Sequence, residues 1–329
     1  MRTRVAVVYG GRSGEHEVSV RSAQAIMDGM DPAKYEIAKY FITKEGKWQP
    51  HPILPEPGSL TGIDVVFPVL HGTFGEDGTV QGLLELADVP YVGAGVLASS
   101  VSMDKEMMKR VCLERALPVV DYATVTREKP DVEAMAKRLP FPLFVKPANL
   151  GSSVGVSRAT DKSSLSRAIE LAARYDRKVM IEESVDAREI ECAVLGNDTP
   201  QASLPGEYVV HDETARFLDY TEKYTNTGHV EFVVPAPISR AMIRRIQHMA
   251  VTAFQAIDGS GLSRVDFFLR RGDGELLINE INTLPGLTEV SGYPKMWEAT
   301  GMPFPEVIDR LIELAIERHR ERSRNETSI

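Results

Sequence analysis

Apolar residues along the chain follow two rhythms, short unbroken runs and a recurrence near every third or fourth position, and their alternation predicts strands interleaved with helices. Val5 to Tyr9 is a run that stops at Gly10-Gly11, after which polar Arg12 to Glu17 opens a helical pattern through Val20, Ala23 and Met27. Asp64 to Leu70 is a second run, closed by His71-Gly72, and Val89 to Val92 a third, closed by Gly93-Ala94-Gly95. Three such strands predict an α/β layer with a parallel sheet that meets its ligand at the strand tips.

Met103 to Leu117 and Val132 to Arg138 read as helices. Pro140 to Lys146 is a strand that runs into the small-residue loop Asn149 to Gly155, and Lys178 to Glu182 with Glu189 to Leu195 predict an antiparallel pair. This middle stretch has the look of a separate α+β module. From about 200 to 234 the periodicity fades among Glu213, Arg216, Asp219, Tyr220, Lys223 and Tyr224, and a loop of that length serves as a lid. Met242, Ile243, Ile246, Ala250, Ala253, Phe254 and Ile257 mark a helix ended by Asp258-Gly259. Val265 to Leu269 and Leu276 to Ile281 form a hairpin around Arg271-Gly272-Asp273-Gly274, and a last helix through Val307, Leu311 and Ala315 covers a core.

The 329 residues exceed what one core usually serves, so two or three modules are expected. A formal charge of −9 argues against a nucleic-acid partner, because phosphate-backbone binding needs a basic face. Cys112 and Cys192 are the only cysteines, too few for a disulfide framework or a four-thiolate metal site, and suit a reducing compartment. No apolar run approaches the roughly 20 residues that span a bilayer. The expectation is a cytoplasmic enzyme, without a membrane, that handles a small phosphate compound.

Arg264-Val265-Asp266 and Ile278-Asn279-Glu280-Ile281-Asn282 carry the strongest chemical signal. Period-two alternation puts Arg264 and Asp266 on one face of the first strand, and Glu280 and Asn282 on one face of its partner. Three oxygen ligands beside a guanidinium suit Mg²⁺ shared with nucleotide phosphates, although a surface ladder of ion pairs has the same pattern. Lys146 stands just before the Ser/Gly loop, where an ammonium and several backbone N–H groups can face one polyanion, without the Gly-Lys-Ser/Thr order of a Walker loop. Lys105 is a second phosphate candidate, or a solvated helix charge. Glu15 and His16 follow the first strand, and His71, Glu76 and Asp77 the second; carboxylates there suit an ammonium-bearing substrate, or cap a helix.

Taken in order, Gly10 to Ser19, His71 to Gly78, Lys146 with Gly151-Ser152-Ser153-Val154-Gly155, and Asn279 to Gly286 resemble the D-alanine-D-alanine ligases of the ATP-grasp superfamily. The resemblance implies three domains, expected at 1–104, 105–192 and 193–329, with a lid at about 205–234. It implies ATP as co-substrate, Mg²⁺ or Mn²⁺ in two sites, a homodimer, and D-alanyl-D-alanine made through a D-alanyl phosphate for peptidoglycan. By position, Glu15 would bind the first substrate's ammonium with His71 nearby. Lys105 and Lys146 would contact phosphates, Glu182 and Val185 the adenine region, and Glu189 the ribose. Asp266, Glu280 and Asn282 would hold metal, Arg264 and the Gly286 N–H the oxyanion, and Ser291 the second substrate's carboxylate. Ser152 and Tyr224 would link the lid to Glu15.

Two positions depart from the family pattern. Leu218 stands where a tyrosine is common, and Gly292 replaces a larger apolar residue, which would enlarge the second-substrate pocket. A ligase making D-alanyl-D-lactate or D-alanyl-D-serine is the near rival, opposed by Lys223-Tyr224. An ATP-binding regulatory module without turnover is the distant one, opposed by the retention of Arg264 with its three oxygen ligands.

Overall fold

The computed structural model describes residues 2–151, 154–210, 230–288 and 290–326. The run at the amino end forms β1 (Thr3–Gly10), flanked in parallel by β2 (Tyr35–Ile42) and β4 (Val65–Val69), with the short β3 (Trp48–Gln49) antiparallel on β2. Val5, Ala6, Val7 and Val8 are all 0% exposed, which explains the unbroken run: both faces of the sheet are covered. One face packs against α1 (His16–Gly29) through Ala23, Ile26 and Met27, and the other against α2 (Thr79–Leu86) through Val80 and Leu84.

Three parallel strands are therefore present, but the third is β2 and not Val89 to Val92. That segment makes a single bridge, Tyr91 to Val66, because Pro90 has no N–H to continue the ladder. The helix expected from Met103 to Leu117 is present as α4 (Lys105–Glu114), and a further helix, α3 (Val96–Met103), runs up to it. Asp104 separates them in an extended conformation, its carboxylate accepting from the N–H groups of Glu106 and Met107 to cap α4.

The middle sheet has the order β5-β8-β6-β7, made of β5 (Tyr122–Thr126), β6 (Leu143–Pro147), β7 (Ser157–Ala159) and β8 (Lys178–Glu183). Helices α5 (Val132–Arg138) and α6 (Lys162–Ala172) close its own core, in which Leu143, Val145, Leu165, Ile169, Val179 and Ile181 are buried. The last sheet has the order β12-β11-β9-β13-β14, with β10 on β9. Its strands are β9 (Ala187–Gly196), β10 (Gln201–Ala202), β11 (Gly206–Val210), β12 (Val230–Val233), β13 (Gly261–Arg270) and β14 (Leu276–Asn282). The helix α7 (Arg240–Ala256) packs on it, followed in the chain by α8 (Gly292–Thr300) and α9 (Phe304–Arg322).

Two further expectations change. Lys178–Glu182 and Glu189–Leu195 do not pair: β8 lies between β5 and β6, while β9 lies between β11 and β13 in the other sheet. The stretch from about 200 to 234 begins and ends as strand, since β10 and β11 precede residues 211–229 and β12 follows them.

Candidate active site

The alternation of β13 shows how one strand face serves packing and chemistry. Val265, Phe267 and Leu269 point into the core under α7, whereas Leu262 on the opposite face joins the core shared with the amino-terminal sheet. Arg264 and Asp266 share the Leu262 face and emerge beyond that core into a cleft. Arg264 pairs with Asn282 and Asp266 with Glu280, as the sequence predicts, and a bulge after Asp266 leaves Asn279 without a partner residue in the register. On the other side of β13, Glu191 lies opposite Asp266 and Glu189 opposite Phe268, so β9 brings two more carboxylates to the same face.

Arg264 donates to both oxygens of Asp266, from Nε and Nη2 at 2.7 Å each, and Asn282 Nδ2 donates to Asp266 Oδ2 at 3.0 Å. Counting only His, Cys, Asp and Glu, no group of three gathers as a metal site among the described residues. The cluster here is two carboxylates and an amide, a hard-oxygen donor set that fits a divalent cation completing its shell on phosphate.

Across the cleft, Lys146 of β6 donates to Glu182 Oε2 at 2.5 Å. Glu182 is 3% exposed and also ion-pairs with Lys109 Nζ at 2.9 Å. Lys105 is buried too, its Nζ donating to the Leu150 carbonyl at 2.9 Å at the start of the Ser/Gly loop. From the amino-terminal sheet come Glu15 and His71. Glu15 Oε2 lies against Gly72, 2.5 Å from where a Cβ on that glycine would stand, and 3.6 Å from the same point on Gly151. Gly72 has φ +75, so a side chain there would be strained as well as blocked. His71 contacts Ser22 Oγ through Nε2 at 3.1 Å, and Glu76 and the Leu284 carbonyl through Nδ1 at 3.3 and 3.2 Å. Burial alone would lower its pKa, but the hydrogen bond and charge of Glu76, the charge of Glu15 and the Leu284 carbonyl raise it.

One cleft is thus lined by Glu15, His71, Lys105, Lys146, Glu182, Val185, Glu189, Arg264, Asp266, Glu280, Asn282 and Gly286. Ser291 stands behind Gly286 and not on the lining, with its Oγ 2.8 Å from where a Cβ on Gly286 would lie. Ser152, Tyr224 and Leu218 lie outside the described residues. Gly292 does not enlarge the pocket as expected: a Cβ there would meet Glu191 Oε2 at 2.6 Å and Phe232 Cζ at 2.9 Å, so the volume is filled. The sequence reading missed Lys109 and Glu191. Lys109 stands one helical turn from Lys105, and Glu191 two strand positions from Glu189, so both spacings were available.

A basic wall faces an oxygen-rich floor across the space between two antiparallel sheets, an arrangement that suits a ligase of the ATP-grasp class, whose members use ATP and a divalent metal. The model of the D-ala D-ala ligase C-terminus matches residues 111–313, and that of the N-terminus residues 4–57 and 53–94. A D-alanine--D-alanine ligase from Solibacter usitatus is 59% identical over 98% of both chains, and one from Heliobacterium modesticaldum 46% identical over 99% of this chain and 98% of that one. Among solved structures, the D-alanine-D-alanine ligase from Coxiella burnetii superposes with a TM-score of 0.86 at 38% identity, covering 98% of this chain and 96% of the other. The VanG D-Ala:D-Ser ligase from Enterococcus faecalis does so at 0.85 and 36%, covering 96% and 100%. The chain belongs to the D-alanine-D-alanine ligase family.

Proposed function

We infer that the chain is an ATP-dependent ligase that joins two D-alanines into D-alanyl-D-alanine through a D-alanyl phosphate, for peptidoglycan precursor synthesis. The observation that carries this reading is the register that sets Arg264 and Asp266 beside Asn282 and Glu280, in one cleft with Lys146 and Glu15.

A carboxylate resists attack by an amine until one of its oxygens becomes a leaving group, and phosphorylation supplies that. Glu15, with His71 behind it, takes the ammonium of the first D-alanine. Lys105 and Lys146 take phosphate oxygens, Glu182 and Val185 border the adenine, and Glu189 accepts from the ribose. Asp266, Glu280 and Asn282 would hold the divalent ions, Mg²⁺ or Mn²⁺ in two sites, whose chemistry would be to offset negative charge on the phosphoryl group. Arg264 and the Gly286 N–H steady the oxyanion as the second amine adds, and Ser291 holds that substrate's carboxylate. Ser152 and Tyr224 are the proposed hydrogen-bonding partners of Glu15, and their role would be to keep water from the acyl phosphate.

Three domains are proposed, from 1 to 104, from 105 onwards, and a third ending at 329. The boundary expected at 192 is better drawn between Glu183 and Ala187, where the chain leaves one sheet for the next. Cytoplasm is the proposed compartment, supported by two buried free cysteines; no helix among the described residues is long and apolar enough to cross a membrane. A homodimer is the proposed assembly, supported by Leu86 and Leu97, which stand 61% and 59% exposed on neighbouring helices.

The test is ADP release by the purified chain with ATP, Mg²⁺ and D-alanine, with D-lactate and D-serine offered as second substrates. D-alanine alone should support turnover, at the highest kcat/KM of the three. No ATP consumption with any D-amino acid would sink the reading, and preference for D-lactate or D-serine would move it to the rival ligases.

A further inference from the structure

Gly292 opens α8 directly after Ser291. The place of its missing side chain is taken by the Glu191 carboxylate, which arrives from β9 with 3% of the residue exposed. A carboxylate buried this deeply is unfavourable unless a cation answers it. Arg264 does so, with its Nε 3.3 Å from Glu191 Oε1. The other oxygen is the one pressed towards Gly292.

Arg264 is therefore gripped by two carboxylates with different obligations. Asp266 makes the shorter contacts, two at 2.7 Å, yet it belongs to the proposed metal ligands and cannot serve cation and guanidinium equally. Glu191 has no place in that ligand set, and its burial fixes where it can go. Phe232 crowds the same point, its Cζ 2.9 Å from where a Cβ on Gly292 would stand, and leaves the carboxylate little room there.

We propose that Glu191 is the positioning residue of Arg264, the anion that keeps the guanidinium aimed when Asp266 turns to metal, and that position 292 is glycine because this carboxylate fills its side-chain volume. The proposal rests on the ligase reading above. It makes residues 191 and 292 a matched pair: a side chain at 292 and a carboxylate at 191 exclude one another.

The full chain is assayed as four variants, Glu191→Gln, Gly292→Ala, Glu191→Ala and the Glu191→Ala/Gly292→Ala pair, against the unaltered protein, reading kcat, KM for ATP, KM for D-alanine and the thermal unfolding midpoint. Glu191→Gln keeps the shape and removes the charge, so kcat should fall roughly ten- to a hundredfold, with KM for ATP within about twofold. Gly292→Ala, a change that favours an ordinary helix, should here lower both kcat and the midpoint. In a Glu191→Ala background the same Gly292→Ala change should lower kcat no further, and the midpoint less than it does alone. A normal kcat in Glu191→Gln, a raised midpoint in Gly292→Ala, or losses that multiply as those of independent sites would each overturn the pairing. If the unaltered chain releases no ADP, the ligase reading falls separately, and the pairing stands or falls on the midpoints.

Discussion

Glu182 carries its charge in the interior only because two ammonium groups meet it there. Burial alone would drive a proton onto the carboxyl, but Lys109 and Lys146 outweigh burial and hold its pKa at about 2. A carboxyl depressed in the folded state contributes stability above its unfolded pKa, near 4.5, and that contribution is lost as pH falls through about 2. Lys109→Met leaves the anion a single partner and should cost about 3 kcal/mol, the size expected for breaking a buried pair. Urea unfolding at neutral pH checks this, and the gap between the two chains should narrow as the pH is taken from about 5 towards 2; an equal gap throughout would mean that packing, not charge, is lost. Lys109 was hard to find in the sequence because a lysine is almost never fully buried, so its residue type argued against the place its spacing gave it. Glu191 was hidden differently, at the head of the apolar run Cys192 to Leu195. Arg264, Asp266, Glu280 and Asn282 were legible because two polar residues in alternation, on each of two strands joined by an Asp-Gly turn, leave little choice of face.

Strand ends and helix faces position the substrate side of the cleft. Ser19 and Ser22, fully buried on the inner face of α1, tie that helix to the strand tips: Ser19 Oγ accepts from the Gly10 N–H at 2.7 Å and donates to the Val69 carbonyl, while Ser22 meets His71. His71 is the titratable member of this junction. Its pKa is raised, so the stabilisation it brings is fully present below about 6.5 and fades as pH rises through the folded value. The unfolding midpoint should therefore decline as pH rises above about 6.5, and Glu76→Gln, which removes the negative charge at one of the two partners of Nδ1, should flatten that decline. A profile unchanged by Glu76→Gln would remove the pair from the account. At this scale the sequence misled where neighbours in the chain are not neighbours in a sheet. Lys178 to Glu182 and Glu189 to Leu195 look like a hairpin, since consecutive strands usually pair, yet the chain between Glu183 and Ala187 steps from one sheet to another. Tyr35 to Ile42 escaped notice because Glu36 and Lys39 interrupt its apolar residues, as suits a strand whose far neighbour is only the two-residue β3.

The three sheets are not equally joined. Val5 and Val7 of β1, Ala193 and Leu195 of β9, Trp297 of α8 and Ile308 of α9 share one buried cluster, so the amino-terminal and last sheets are welded through a common core. The middle sheet keeps its own core and is tied to the last one through α4, whose Met108 and Cys112 join the last sheet's core while its Lys109 pairs with Glu182, and through the chain before β5, where Val119 bridges to Ile278 and the Ile278 N–H donates to the Pro118 carbonyl at 2.8 Å. Arg318 of α9 reinforces the weld. It donates to the carbonyls of Gly93 and, at 3.1 Å, Tyr91, and to Ser260 Oγ at 2.7 Å, and its guanidinium lies 4.2 Å over the Tyr91 ring. Arg318→Ala removes these contacts together and should cost roughly 3 kcal/mol, less than their separate sum because they share one side chain. The shared apolar core remains, so calorimetry should show no transition beyond those of the unaltered chain, shifted to a lower temperature, with kcat and KM at 25 °C within about twofold. An additional transition, absent from the unaltered chain, would instead mean that Arg318, and not the buried cluster, unites the first and last sheets.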